Sequence, residues 1–153
     1  MLVKIFAHIF CLKYFYVALD GGKVAAMVSC TQGYPPISLK REEFIKILGV
    51  LRGNLMYFTL KRNMRRNSSH FAFKDTGIIE FVTTEESSRN KGLGYQLLTY
   101  VMEQTPYDAY VLEVADTNKS AIRLYEKLGF REIKRVKANK NSGANDFIYM
   151  RRA

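Results

Sequence analysis

The stretch Gly77-Ile78-Ile79-Glu80-Phe81-Val82-Thr83-Thr84 is followed, after Glu85 to Ser88, by Arg89-Asn90-Lys91-Gly92-Leu93-Gly94-Tyr95. The first run is rich in β-branched and aromatic residues and reads as a strand. After the second, Leu93, Leu97, Leu98, Val101 and Met102 recur at helical spacing. A basic, glycine-rich turn therefore joins a strand to the start of a helix. The first N–H groups of a helix have no partners within it, and the helix dipole adds partial positive charge there. Glycines let the backbone approach a bulky anion, and Arg89 and Lys91 add full charges. Such a turn can cradle a phosphate or pyrophosphate; it can equally be a plain tight connection. It is not a P-loop, because Gly-x-x-x-x-Gly-Lys-Ser/Thr is absent. A dinucleotide fingerprint would need a third glycine where Leu97 stands.

Upstream of this unit, residues 67–76 read as a loop and residues 39–66 as helical. Phe44, Ile47, Leu48 and Leu51 fall on one face, Gly53-Asn54 interrupts, and a second helix is expected from about Leu55 to Arg66. This helical pair is strongly basic, with eight Lys or Arg against two Glu. Gly33, Pro35 and Pro36 separate it from a hairpin, whose strands run Lys13 to Leu19 and Val24 to Cys30 around the turn Asp20-Gly21-Gly22. Downstream, Pro106 stops the helix that begins at the glycines. Tyr110 to Ala115 is the next strand. Asp116-Thr117-Asn118 offers capping side chains for a helix that buries Ala121, Leu124, Tyr125 and Leu128 and stops at Gly129. Phe130 to Val136 and Asp146 to Arg151 read as the last two strands, joined by a polar connection.

The 153 residues suit one domain, residues 1–153, long enough to bury a core. Apolar content of 48% and charged content of 25% place the chain among globular proteins. The formal net charge of +10 points to an anionic partner: nucleic acid, a phosphorylated cofactor or an acidic acceptor. Cys11 and Cys30 could pair, but they read first as two reduced structural thiols. His8 and His70 lie far apart, with no Cys or carboxylate at ligand spacing, so no metal is expected. Met1 to Leu19 is apolar, but Lys4, His8 and Lys13 interrupt it and no small-residue cleavage pattern follows. It reads as a buried edge of the domain and the protein as cytoplasmic, with no membrane partner.

Arg89-x-x-Gly92-x-Gly94 resembles the acyl-CoA cradle of the GNAT N-acetyltransferase superfamily. Asn118, Ala121 and Leu124-Tyr125-Glu126-Lys127-Leu128-Gly129-Phe130 resemble its second motif, at the usual separation. The resemblance covers residues 77 to 136 well and the hairpin at 13 to 30 more loosely. It implies an α/β fold: a mixed, mostly antiparallel twisted sheet with splayed central parallel strands, flanked by helices. Two departures stand out. Only about a dozen residues precede the hairpin, and the helical segment at 39–66 sits where the family has a short link. Either the chain is an N-terminally shortened form, or this insertion covers the sheet face that the missing helices would cover.

The resemblance implies N-acetyl transfer from acetyl-CoA, a co-substrate, to a primary amine of a small molecule or peptide, by direct attack in a ternary complex. The backbone of Val82, Thr83 and Thr84 would pair with the pantetheine amides. Main-chain N–H groups of Asn90, Lys91, Gly92, Leu93, Gly94 and Tyr95 would hold the pyrophosphate, with Arg89 and Lys91 contributing charge. The Val82 N–H is the implied oxyanion donor. Tyr125 would return a proton to the thiolate, or else simply pack the core. Strand alternation places Glu80, Val82 and Thr84 on one face, so Glu80 is the candidate base; Glu113 and bulk solvent are the rivals. Asn118 would touch the cofactor arm, cap the helix, or do both. Two other functions fit the charge. One is a basic nucleic-acid-binding module, using residues such as Arg52, Lys61, Arg62, Arg65, Arg66, Lys134, Arg135, Lys137 and Lys140, although no nucleic-acid motif is visible. The other is a catalytically silent CoA-binding protein. Exposed sheet edges make a homodimer reasonable.

Overall fold

Gly21 and Gly22, with φ of +59° and +78°, supply the two left-handed residues that a tight hairpin turn needs. They join strand β1 (Phe15–Asp20) to β2 (Lys23–Gln32). The structure is a computed structural model that describes residues 12–32, 40–68, 75–139 and 142–153. Helices α1 (Arg41–Leu48) and α2 (Val50–Ser68) follow. Then come β3 (Thr76–Thr84), α3 (Leu93–Gln104), β4 (Ala109–Ala115), α4 (Lys119–Lys127), β5 (Arg131–Lys137) and β6 (Asp146–Arg152). The six strands form one sheet in the order β1-β2-β3-β4-β6-β5. Only β3 and β4 pair in parallel; the other neighbours are antiparallel. No described helix is long and apolar enough to cross a membrane.

The parallel ladder is short. It runs from Thr76↔Ala109 to Ile79↔Leu112, while β3 continues to Thr84 and β4 to Ala115. Beyond Ile79 the register of β3 against β2 also slips, between Ser29↔Glu80 and Met27↔Thr83, and Phe81 adopts a φ of +53°. Such a bulge sharpens local twist and bends the strand, here at the point where the parallel pairing ends. This is the splay that the family resemblance implies.

Helix α3 buries Leu97, Leu98 and Val101 in a core shared with Val28, Ile79, Leu112, Phe130 and Met150, and α4 adds Tyr125 and Leu128. Each fully buried aliphatic side chain stabilises by about 1.5–3 kcal/mol. The helical stripes read from sequence are therefore the faces that pack. Gly129, with φ +90°, ends the last helical turn as expected.

The helices α1 and α2 form a compact unit of their own, distinct from the unit that holds the sheet, α3 and α4. Its centre is Phe44, surrounded by Ile47, Leu48, Met56, Tyr57 and Leu60. The break between the two helices lies at Gly49, not at the expected Gly53-Asn54. Gly49 has φ +80°, and its N–H donates to the Ile45 carbonyl at 2.8 Å. Gly53 sits inside α2, where a Cβ would stand 2.5 Å from the Phe44 carbonyl oxygen. It is a crossing point, not a stop. The break at Gly49 also resets the helical phase, so Leu51, expected on the buried face, is 85% exposed.

The buried edge expected over Met1 to Leu19 is only half buried where it is described. Tyr16 and Ala18 pack on the core, but Val17 and Leu19 are exposed, because β1 is the outermost strand and alternation turns them to the other side. Residues 1–11 lie outside the described residues, as do Cys11, His8 and His70. Cys30 is a buried free thiol.

Candidate active site

Where β3 and β4 part, a cleft of about 550 Å³ opens. One wall is the end of β3, with Val82, Thr83 and Thr84. The floor is the following turn, with Ser88, Arg89, Asn90, Gly92, Leu93, Gly94 and Tyr95. The opposite wall is the start of α4, with Asn118, Ser120, Ala121, Leu124 and Tyr125. Of the residues proposed from sequence for cofactor binding, all but Lys91 line this single cleft. Thr83 and Thr84 pair with Met27 and Ala26 of β2 while lining the cleft past the end of the β3–β4 ladder. An extended chain can therefore add to β3 there.

Asn90 and Gly92 both adopt left-handed backbone, with φ of +62° and +79°. Gly92 is the N-cap of α3, so the opening N–H groups of that helix, which have no partners within it, lie in the turn that floors the cleft. Successive turns of this kind gather N–H groups into an anion-binding nest. Gly94 keeps the nest close to both walls: a Cβ there would lie 3.5 Å from Leu124 Cδ2 and from Thr84 Oγ1. Arg89 lines the cleft, and its Nε donates to the Thr84 carbonyl at 3.4 Å. Lys91 does not. Its Nζ donates to Asp20 Oδ2, at the end of β1, at 2.9 Å, and this pairing holds the Asp20 carboxyl below the usual range.

Tyr125 is 5% exposed, and its ring tilts against Phe130 with centroids 6.0 Å apart. Burial pushes its phenol up to about 12. Asn118 caps α4, its Oδ1 accepting from the Ala121 N–H at 3.2 Å, and it lines the cleft as well. Both readings of Asn118 are thus compatible with its position. Glu80 and Glu113 are the first residues past the last β3/β4 pair, but neither is among the residues that line the cleft. Strand alternation predicts Glu80, Val82 and Thr84 on one face; the register slip at Phe81 breaks it, since Glu80 pairs with Ser29 while Thr84 pairs with Ala26, which faces the core with Val82. Loss of hydration, and then the charge of Glu113, push the Glu80 carboxyl above the usual range. Its Oε2 is buried without a hydrogen-bond partner.

Sequence reasoning missed Ser88 and Ser120 as cleft residues and Asp20 as a neighbour of the cradle. Ser88 adjoins Arg89, and Ser120 lies in the first turn after a capping asparagine, so adjacency to the motifs was their available signal. Asp20 lies 71 residues from Lys91, with nothing local to connect them.

The sequence matches the Acetyltransferase (GNAT) family over residues 5–130. A 63-residue stretch is 41% identical to N-alpha-acetyltransferase 30 of Xenopus laevis; it makes up 39% of this chain and 23% of that relative. The protein of the same name in Homo sapiens is 40% identical over 63 residues, 17% of its length. The chain thus matches less than a quarter of either curated relative. Among solved structures, an N-acetyltransferase from Staphylococcus aureus Mu50 has the same fold, with a TM-score of 0.63 at 21% identity over 93% of this chain and 71% of that one. A structure of the NatC complex bound to Gag peptide and CoA contains a chain with TM-score 0.61 at 16% identity, covering 97% of this chain and 77% of that one. The family match takes in the hairpin, the splayed pair, the glycine turn and α4, and the chain belongs to the acetyltransferase (GNAT) family.

Proposed function

We propose that the protein is an N-acetyltransferase that uses acetyl-CoA to acetylate a primary amine of a small molecule or peptide within a ternary complex. The observation that carries this reading is the meeting of a nest of N–H groups, an extendable strand end and Tyr125 in one cleft. The relatives add support. One kind is named for an α-amine acetyltransferase, and one structure of the same fold comes from a complex bound to a peptide and CoA. A peptide α-amine is therefore the first acceptor to test.

The residues fit such a carrier. The N–H groups of Asn90 to Tyr95 suit its pyrophosphate, with the Arg89 guanidinium beside them, and the edge of Val82 to Thr84 suits its amides. The thioester supplies the acetyl group and, on losing it, a thiolate. The Val82 N–H stabilises negative charge as it grows on the carbonyl oxygen. Glu80 accepts the proton that the attacking amine must lose, through water, since it does not line the cleft; its buried, unpartnered Oε2 favours it over Glu113. Tyr125 gives its proton to sulfur as the C–S bond breaks and the C–N bond forms. A phenol near 12 stays protonated at neutral pH. Its proton moves readily only if the thiolate is made as basic, and the same water-poor wall acts on the sulfur in that direction.

The test follows free thiol while the amine is varied, comparing peptides with free and blocked α-amines. Thiol release that needs a free amine supports the proposal. CoA binding with no release from any amine or peptide favours a catalytically silent binding protein. The nucleic-acid reading is weakened on the sheet side: Arg135 is held by Glu132 and Asp146, and Lys137 by Asp146.

A further inference from the structure

Between Asn90 and Gly92, which line the cleft, stands a lysine that does not. The Lys91 ammonium turns to the β1–β2 hairpin and meets Asp20 Oδ2 at 2.9 Å. The same oxygen accepts from Ser88 Oγ at 3.5 Å, and Ser88 is a buried hydroxyl at the foot of the cradle. One carboxylate thus contacts both ends of the segment Ser88 to Lys91. Asp20 is itself well placed for this, because Gly21 and Gly22 fix the turn that follows it. A further tie between this loop and the hairpin is the Glu85 N–H, which donates to the Ala25 carbonyl at 2.8 Å and lies before the cradle begins.

We infer that Asp20 is a positioning residue for the anion-binding turn, and that Lys91 is its tether and not a ligand of the bound pyrophosphate. The inference rests on the acyl-CoA reading of the cleft and gives Lys91 a role opposite to the one its sequence suggests. A left-handed residue lies on each side of Lys91, at Asn90 and Gly92. This conformation is held against alternatives only if something outside the turn fixes it. The tether supplies that hold from the far side of the loop, leaving the backbone N–H groups and Arg89 facing the cleft. The cost is a neutralised lysine charge, and the gain is a nest that needs no ordering when the anion arrives.

A double-mutant cycle separates the two roles of Lys91, because they predict opposite signs for Asp20. CoA affinity is measured by calorimetry for the wild type, Asp20→Ala, Lys91→Ala and the double variant. Amide hydrogen exchange over residues 88–95 is measured on the same proteins without ligand. For a tether, either single variant weakens CoA binding by about two- to fivefold, the range of an exposed ion pair. The double variant is then no weaker than either single one, and exchange rises in all three. Asp20→Glu, which keeps the charge, recovers part of the affinity. If Asp20→Ala tightens or leaves unchanged the binding that Lys91→Ala weakens, Lys91 is a phosphate ligand with Asp20 as its competitor, and the inference fails. If the wild type does not bind CoA, the proposed function fails instead, while the exchange data still decide the tether: unchanged exchange in Asp20→Ala overturns it.

Discussion

Tyr125 is buried in the core and lines the cleft, so its hydroxyl can be removed without emptying its site. Tyr125→Phe keeps the ring against Phe130 and deletes only the hydroxyl. The expected result is a fall in kcat of about 10²-fold, the lower range for a lost general acid, with CoA affinity little changed. Equal turnover, measured by thiol release, would reduce Tyr125 to packing. Glu80 supports a pH prediction. Its carboxyl is raised by loss of hydration and by Glu113, and a base must be ionised. Activity should therefore climb with pH through a range above that of an ordinary carboxylate, and Glu80→Gln should remove that climb from the kcat/KM profile. If Glu113→Gln removes it instead, the base is Glu113. The same shift has a stability consequence. A carboxyl raised in the folded state favours folding when protonated, and this contribution is lost as pH rises through the folded value. Glu80→Gln should therefore flatten the decline in melting temperature over that range. At this scale the sequence told much, because helical phase, capping and the glycine turn are local. Tyr125, Asn118, Arg89 and Gly94 could all be placed from neighbours within a turn or two. The direction of Lys91 could not, since its partner is set by how a distant hairpin folds back.

The divergence of β3 and β4 depends on where pairing stops, and that is a property of two strands. The sequence marks both strands as β-rich but says nothing of a ladder ending at Ile79 and Leu112, and the left-handed φ of Phe81 is unusual for a bulky residue. Only the family resemblance supplied the splay. The helix pair shows the converse limit. Two glycines stand four residues apart, and composition alone does not tell which one ends a helix. Gly49 needs its freedom of φ, with nothing near the missing Cβ, whereas Gly53 needs its lack of volume, with the Phe44 backbone against it. Gly53→Ala should therefore force α1 and α2 apart and destabilise that unit by about 1–3 kcal/mol, the range for overpacking. Hydrogen exchange of amides in residues 41–61 reads this directly. Protection equal to the wild type would show that the helices do not cross at Gly53.

A formal net charge of +10 is a property of the whole chain, and it does not by itself say which anion the protein meets. The two readings of that charge differ in how they respond to salt and to ligand. On the acyl-CoA reading proposed above, the anion would be held mainly by backbone N–H groups with Arg89 beside them, because Lys91 is engaged by Asp20. CoA affinity should then fall only gently as salt rises. A nucleic acid held by many Lys and Arg side chains would lose affinity steeply, because each neutralised phosphate releases a counterion. Binding to the folded state alone also raises stability. Acetyl-CoA at about 100 times its Kd should add about 2.7 kcal/mol. For a chain of this length that corresponds to a rise in Tm of about 5–10 °C. The measurement is a thermal melt with and without acetyl-CoA at low and high salt, beside a duplex and a single-stranded oligonucleotide. A rise with acetyl-CoA that persists at high salt is the expected outcome. A steeply salt-dependent response to oligonucleotide with none to acetyl-CoA would transfer the charge, and the function, to the nucleic-acid reading.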